Sequence, residues 1–211
     1  NASLRKKPSA IPQCKEAFLD VPKLKNIDFG KIQVIGQSAF ENCSEIESLK
    51  FPVSIINIGD DAFKGCKKLT SVFLPSTVRK IGTASFKNCK KITKFIIGTK
   101  KGNVPDKNID GNMAYGGTVS ISIAAKALEN CINLKEVVIN SQVRTIGDAA
   151  FRQCKKLSKI IIYSLILRRV GKRALVGVHN CKIKVPNVKI KPYTVLFKNK
   201  GQGKKVVVAK M

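Results

Sequence analysis

A single motif returns every 23 residues along this chain, and no other property restricts its fold so tightly. In the clearest copy, Ile58–Pro75 (IGDDAFKGCKKLTSVFLP), Gly59 is followed by Ala62, Phe63, Cys66, Leu69, Val72 and Leu74. The first half has the i, i+3, i+4, i+7 spacing of a short helix with one apolar face. The second half alternates as a half-buried strand does. Gly36, Ala39, Phe40, Cys43, Ile46, Leu49 and Phe51 repeat the pattern, as do Gly82, Phe86, Cys89, Ile92, Phe95 and Ile97. Two later copies centre on Ala127, Leu128 and Cys131 and on Ala150, Phe151 and Cys154, and weaker copies flank these five at Cys14–Phe29 and Gly171–Val185.

A 23-residue unit cannot bury its apolar face alone, because ordering its backbone costs more than about six inward side chains return. Stacking supplies the missing burial, so equivalent side chains from successive coils lie above one another. The period falls within the range of about 20–29 residues of leucine-rich repeats and well short of ankyrin and tetratricopeptide units. The expected fold is an α/β-type solenoid: a right-handed leucine-rich-repeat superhelix of about seven coils. A continuous parallel β-sheet forms one face, with short helical turns opposite.

Three regions divide the 211 residues. Residues 1–13 are a basic, aperiodic N-terminal extension. Residues 14–186 are the repeat domain, its first coil acting as a cap. The register breaks once, at 98–120, where a Gly-, Asn-, Asp- and Lys-rich insertion separates Gly82 from Ala124 by 42 residues. Such insertions map to one face of a solenoid, often the binding face. In residues 187–211 a helix from Pro192 through Asn199 and a strand in KKVVVAK cover the open edge of the last coil. Within the coils, the Ile–Gly steps at 35–36, 58–59 and 81–82 mark close backbone approach, and Pro52 and Pro75 end strands.

Five of the seven cysteines hold one repeat position, which identifies them as small buried hydrophobes rather than a disulfide framework. No C-x-x-C pair suggests zinc. His179 is the only histidine, and no nucleophile or orienting acid is marked out beside it. P-loop, Rossmann and HExxH patterns are absent. The expectation is a non-enzymatic chain with no catalytic residue, no metal and no cofactor. No apolar run approaches the roughly 18 residues of a membrane span.

Two surfaces remain. Between the inward strand positions stand Lys50, Phe73, Ile96, Val138 and Ile161, a row facing outward and apolar in four coils, as interaction sites often are. Around the repeat cysteine runs a basic ladder of Lys64, Lys67, Lys68, Lys87, Lys90, Lys91, Arg152, Lys155 and Lys156. With 40 Lys and Arg against 13 Asp and Glu, the net charge of +27 favours polyanions. The ladder offers an alternative function, binding a cell-wall polymer, glycosaminoglycan or nucleic acid, in a manner that weakens steeply with salt.

The run I-G-x-x-A-F-x-x-C-x-x-L-x-x-V-x-L-P, here IGDDAFKGCKKLTSVFLP and IGQSAFENCSEIESLKFP, resembles the BspA-like leucine-rich repeat family. That family is found largely in bacterial cell-surface and secreted proteins. The tail, with KIKVP, PYTVLFKNKGQ and KKVVV, is similar to the closing segment of many of them. The resemblance covers roughly residues 14–200 and implies a secreted or surface-displayed module for adhesion, with an extracellular protein or glycan as partner.

Overall fold

The computed structural model describes residues 15–98, 120–139 and 143–211, together with the backbone of Ser3–Leu4. The coils stack as a parallel-strand solenoid of about seven turns. The first sheet joins six parallel strands in the spatial order Ser71–Leu74, Lys94–Ile97, Glu136–Ile139, Lys159–Ile162, Asn180–Val185 and Lys205–Lys210. A second parallel sheet, absent from the sequence expectation, is built by the residues around the Ile–Gly step. Its strands run from Val34–Ile35 through Asn57–Ile58, Lys80–Ile81, Ile121–Ile123 and Val143–Ile146 to Arg169–Val170. In both sheets each strand pairs with its equivalent one coil on, as Val72 does with Phe95, Phe95 with Val137 and Val137 with Ile160.

The third side is not helical. Each coil there carries two residues of positive φ four apart: Ser38 and Asn42, Asp61 and Gly65, Ala84 and Asn88, Lys126 and Asn130, Ala149 and Gln153. A left-handed residue at every fourth position stops an α-helix from propagating. The backbone donors alternate instead. Ala39, Glu41 and Cys43 donate within the coil, to the carbonyls of Gly36, Ser38 and Phe40. Ser38, Phe40 and Asn42 donate along the column, to the carbonyls of Asp60, Ala62 and Lys64 in the next coil. Phe63 to Ser85, Phe86 to Ala127, Leu128 to Ala150 and Phe151 to Ala174 continue that ladder at 2.8–3.0 Å.

The interior is a set of stacked rows. The rings of Phe18, Phe40, Phe63 and Phe86 lie 5.2–5.3 Å apart and nearly parallel, and Phe29, Phe51 and Phe95 meet them edge-on. The glycine row shows why a side chain is excluded there: a Cβ at Gly82 would stand 2.5 Å from the Gly59 carbonyl group, closer than any real contact. Ala124 holds the equivalent place in the next coil, and nothing in the structure explains its methyl group.

The repeat cysteines do more than fill space. Cys43, Cys66, Cys89, Cys131 and Cys154 are all buried and reduced. Each thiol donates to a carbonyl of the preceding coil: Cys43 to Phe18, Cys66 to Phe40, Cys89 to Phe63, Cys131 to Phe86 and Cys154 to Leu128, at 3.0–3.3 Å. Burial raises the thiol of Cys43 to about 12, and those of Cys131 and Cys181 likewise to about 12. Such thiols are poor nucleophiles.

At the C-terminal end the helix spans Ile190–Phe197, with Pro192 in its first turn, and the strand Lys205–Lys210 pairs in parallel with Asn180–Val185. Tyr193 anchors the helix. Its hydroxyl donates to the Ser164 carbonyl at 2.8 Å and accepts from the Leu167 N–H at 3.1 Å, all three groups buried. Tyr193→Phe strands both backbone groups, and its expected cost is about 2 kcal/mol. Urea unfolding measures it; a loss under about 0.5 kcal/mol would mean that the helix frays before the coils open.

The insertion assigned to 98–120 falls on 99–119, outside the described residues, apart from Gly98 and Ser120 at its margins. Cys14 lies outside them as well, as does the 1–13 extension except for Ser3–Leu4, which pair with Asn26–Ile27.

Candidate functional site

Strand alternation turns one row of side chains outward on the first sheet. Phe73 pairs with Ile96, Ile96 with Val138, Val138 with Ile161, and Ile161 with Lys184, so the apolar row is continuous across four strands. Phe73 is 42% exposed, while Val138 and Ile161 are half-buried. Ile96 corrects the sequence expectation: at 5% exposure it is buried, hemmed by Phe73 and Val138 as its partners on either side. Lys50 is exposed but stands outside the sheet, since its coil forms no strand at that position.

Alongside this row runs a charged one. Lys94 and Lys159 close on Glu136 from both sides, at 2.8 and 3.0 Å, tying three consecutive strands. The hydrogen bond from Lys94, then that from Lys159, hold the Glu136 carboxyl below its usual range against the opposing effect of burial. The apolar row and this Lys–Glu–Lys row lie on the same face of the sheet, two residues apart along each of three strands.

The basic ladder divides in two. Four of its nine members are neutralised by carboxylates from a neighbouring coil. Lys64 meets Glu41 at 2.8 Å, with Asp61 of its own coil at 3.3 Å, and Lys68 meets Glu45 at 2.7 Å. Lys87 and Arg152 share the buried Glu129 at 2.9 and 3.2 Å. Lys67, Lys90, Lys91, Lys155 and Lys156 are exposed and make no ion pair among the described residues.

His179 is exposed just before the strand Asn180–Val185. No group of three or more His, Cys, Asp or Glu is placed to hold a metal ion among the described residues, and no helix there is long and apolar enough to cross a membrane.

Coils of this length, with a parallel sheet, stacked phenylalanines and a thiol-capped turn, define a leucine-rich repeat solenoid. The chain belongs to the BspA type leucine rich repeat family, whose profile matches residues 11–111 and 121–209 in six copies. Such repeats are protein-interaction modules and typically non-enzymatic scaffolds. No curated protein matches the sequence. Among solved structures, the chain is similar to the leucine rich repeat protein of T. pallidum at 20% identity. That match covers 86% of this chain and 75% of that one, with a TM-score of 0.46. It is also similar to a leucine-rich repeat protein from Bacteroides ovatus (18% identity, 97% and 82% covered, TM-score 0.33). A leucine rich cell surface protein from Faecalibacterium prausnitzii matches at 16% identity, 94% and 76% covered, TM-score 0.34.

Proposed function

We propose that this chain is a non-enzymatic binding module of a secreted or cell-surface bacterial protein, and that it adheres to an extracellular protein through the outer face of the first sheet. The alignment of Phe73, Ile96, Val138 and Ile161 in direct register, beside the Lys94–Glu136–Lys159 row, is the observation that carries this reading. Contiguous apolar surface rimmed by charge is the usual anatomy of an interface. Because the backbone there is held by pairing on both sides, little ordering entropy is spent on docking. Phe73 supplies the exposed aromatic anchor, Val138 and Ile161 extend it, and buried Ile96 acts as the floor between them.

The test uses immobilised extracellular-matrix proteins and whole epithelial cells as probes. The double variant Phe73→Ser plus Ile161→Ser is expected to keep the melting temperature to within a few degrees and to lose at least about tenfold in binding, the range of a central contact cluster. Ile96 is left intact because its substitution would disturb packing. Undiminished binding by the double variant would move the site elsewhere.

A further inference from the structure

From Ala149 to Met211 the chain has no Asp or Glu at all, yet it carries 17 Lys and Arg. Three of these reach back to carboxylates of earlier coils: Arg152 to Glu129, Lys159 to Glu136 and Arg169 to Asp148. The other fourteen make no ion pair among the described residues. The solenoid is therefore electrically uneven along its axis. Residues 1–148 hold all 13 Asp and Glu beside 23 Lys and Arg, a net charge of +10, whereas residues 149–211 carry +17.

Four of the fourteen lie on or beside the outer face of the last two strands of the first sheet. Lys182 and Lys184 project from Asn180–Val185 at the alternate, non-core positions. Lys205 opens the neighbouring strand opposite Asn180, and Lys204 precedes it. Lys182 also lies next to Lys159 in register, and Lys184 next to Ile161. Strands stand about 4.8 Å apart, so these ammonium groups repel one another unless an anion spans them. Among the residues from 149 onward, Phe151, Tyr193 and Phe197 are buried and Tyr163 is half-buried, which leaves the imidazole of His179 as the one exposed aromatic ring. A ligand here meets many charges and a single ring, which disfavours a run of stacked nucleic-acid bases.

We infer that the carboxylate-free C-terminal end, centred on Lys182, Lys184, Lys204 and Lys205, is a binding site for an anionic polysaccharide. It borders the apolar row where Lys184 pairs with Ile161, and it does not depend on the protein-binding reading. A linear acidic glycan presents repeated charges at intervals of several ångströms, which suits a surface built of lysines on adjacent strands. The cation ladder around the repeat cysteines is the weaker surface, because four of its nine members are already neutralised.

Heparin is the probe, with two full-length variants of equal net charge. One replaces Lys182, Lys184 and Lys205 by Gln; the other replaces Lys67, Lys90 and Lys91 by Gln. Only exposed or half-exposed side chains change, and thermal melting confirms that both variants stay folded. The end variant is expected to elute from immobilised heparin at clearly lower salt and to bind about tenfold more weakly at 0.15 M salt, with a shallower salt dependence. The ladder variant is expected to lose less than about threefold. Equal losses would show attraction to net charge alone and overturn the assignment. Single-stranded DNA or anionic phospholipid vesicles binding as tightly as heparin at that salt would overturn the polysaccharide class.

Discussion

Phe63→Ala is expected to destabilise the chain by about 3–5 kcal/mol, the range for truncating a fully buried aromatic. Phe63 stacks on Phe40 and Phe86 at 5.3 Å and receives the edges of Phe29 and Phe51, so truncation opens a cavity bounded by four rings. The neighbouring coils cannot collapse into it, because their backbones are tied on three sides by hydrogen bonds. Phe18 is half-buried and stacks on Phe40 alone, so Phe18→Ala is expected to cost less than half as much. Urea titration of both variants is the check. Equal costs would mean that the end coil is as tightly coupled as the middle of the stack, contrary to nearest-neighbour behaviour.

Alkali provides the second large effect. Burial pushes the thiol of Cys131 up to about 12 and lifts those of Cys89 and Cys154 well above the ordinary 9.0. Below pH 9 both the folded and the unfolded chain keep these protons, and the thiols' contribution is intact. Between pH 9 and 12 the unfolded chain releases them while the folded chain does not, so stability falls as pH rises. The thiols of Cys43, Cys131 and Cys181, all raised to about 12, each remove about 1.4 kcal/mol in total between pH 8 and 10, about 4 kcal/mol together, and Cys89 and Cys154 add to the fall. Lysine deprotonation changes over the same window, which makes the comparison with Cys131→Ala decisive: that variant is expected to lose about 1.4 kcal/mol less than the parent between pH 8 and 10. An identical slope in the variant would assign the alkaline loss to groups other than these thiols.

The rows of Phe, Cys and Gly were legible because stacking forces equivalent positions into one environment, and that environment admits few residue types. The helical reading of Gly59–Cys66 failed for a physical reason. A turn that alternates right- and left-handed residues also returns its apolar side chains at three, four and seven. The distinguishing signal stands just before four of the five repeat cysteines, where Asn42, Gly65, Asn88 and Asn130 occupy a left-handed conformation that Gln153 takes before the fifth. Asn and Gly tolerate that conformation best. Most carboxylate partners of the basic ladder were also readable, since Glu41, Glu45 and Glu129 sit one period before Lys64, Lys68 and Arg152. The burial of Ile96 was not readable, because alternation gives the direction of a side chain without the cover its neighbours provide.

The third-side ladder has an electrical consequence. Every N–H of that ladder points the same way, from one coil toward the next and on to the C-terminal cap, where Leu175 donates to the Lys200 carbonyl. Peptide dipoles aligned head to tail add, as they do in a helix, but here they sum across coils rather than along a single segment. The third side alone therefore carries a dipole with its positive end at the cap, while donors beside the strands, such as Gly59 to Ile35 and Lys68 to Ser44, point the opposite way. The positive end of that one side coincides with the end that has shed its acidic side chains, and there the last donors of the ladder, Leu175 among them, are tied to the cap.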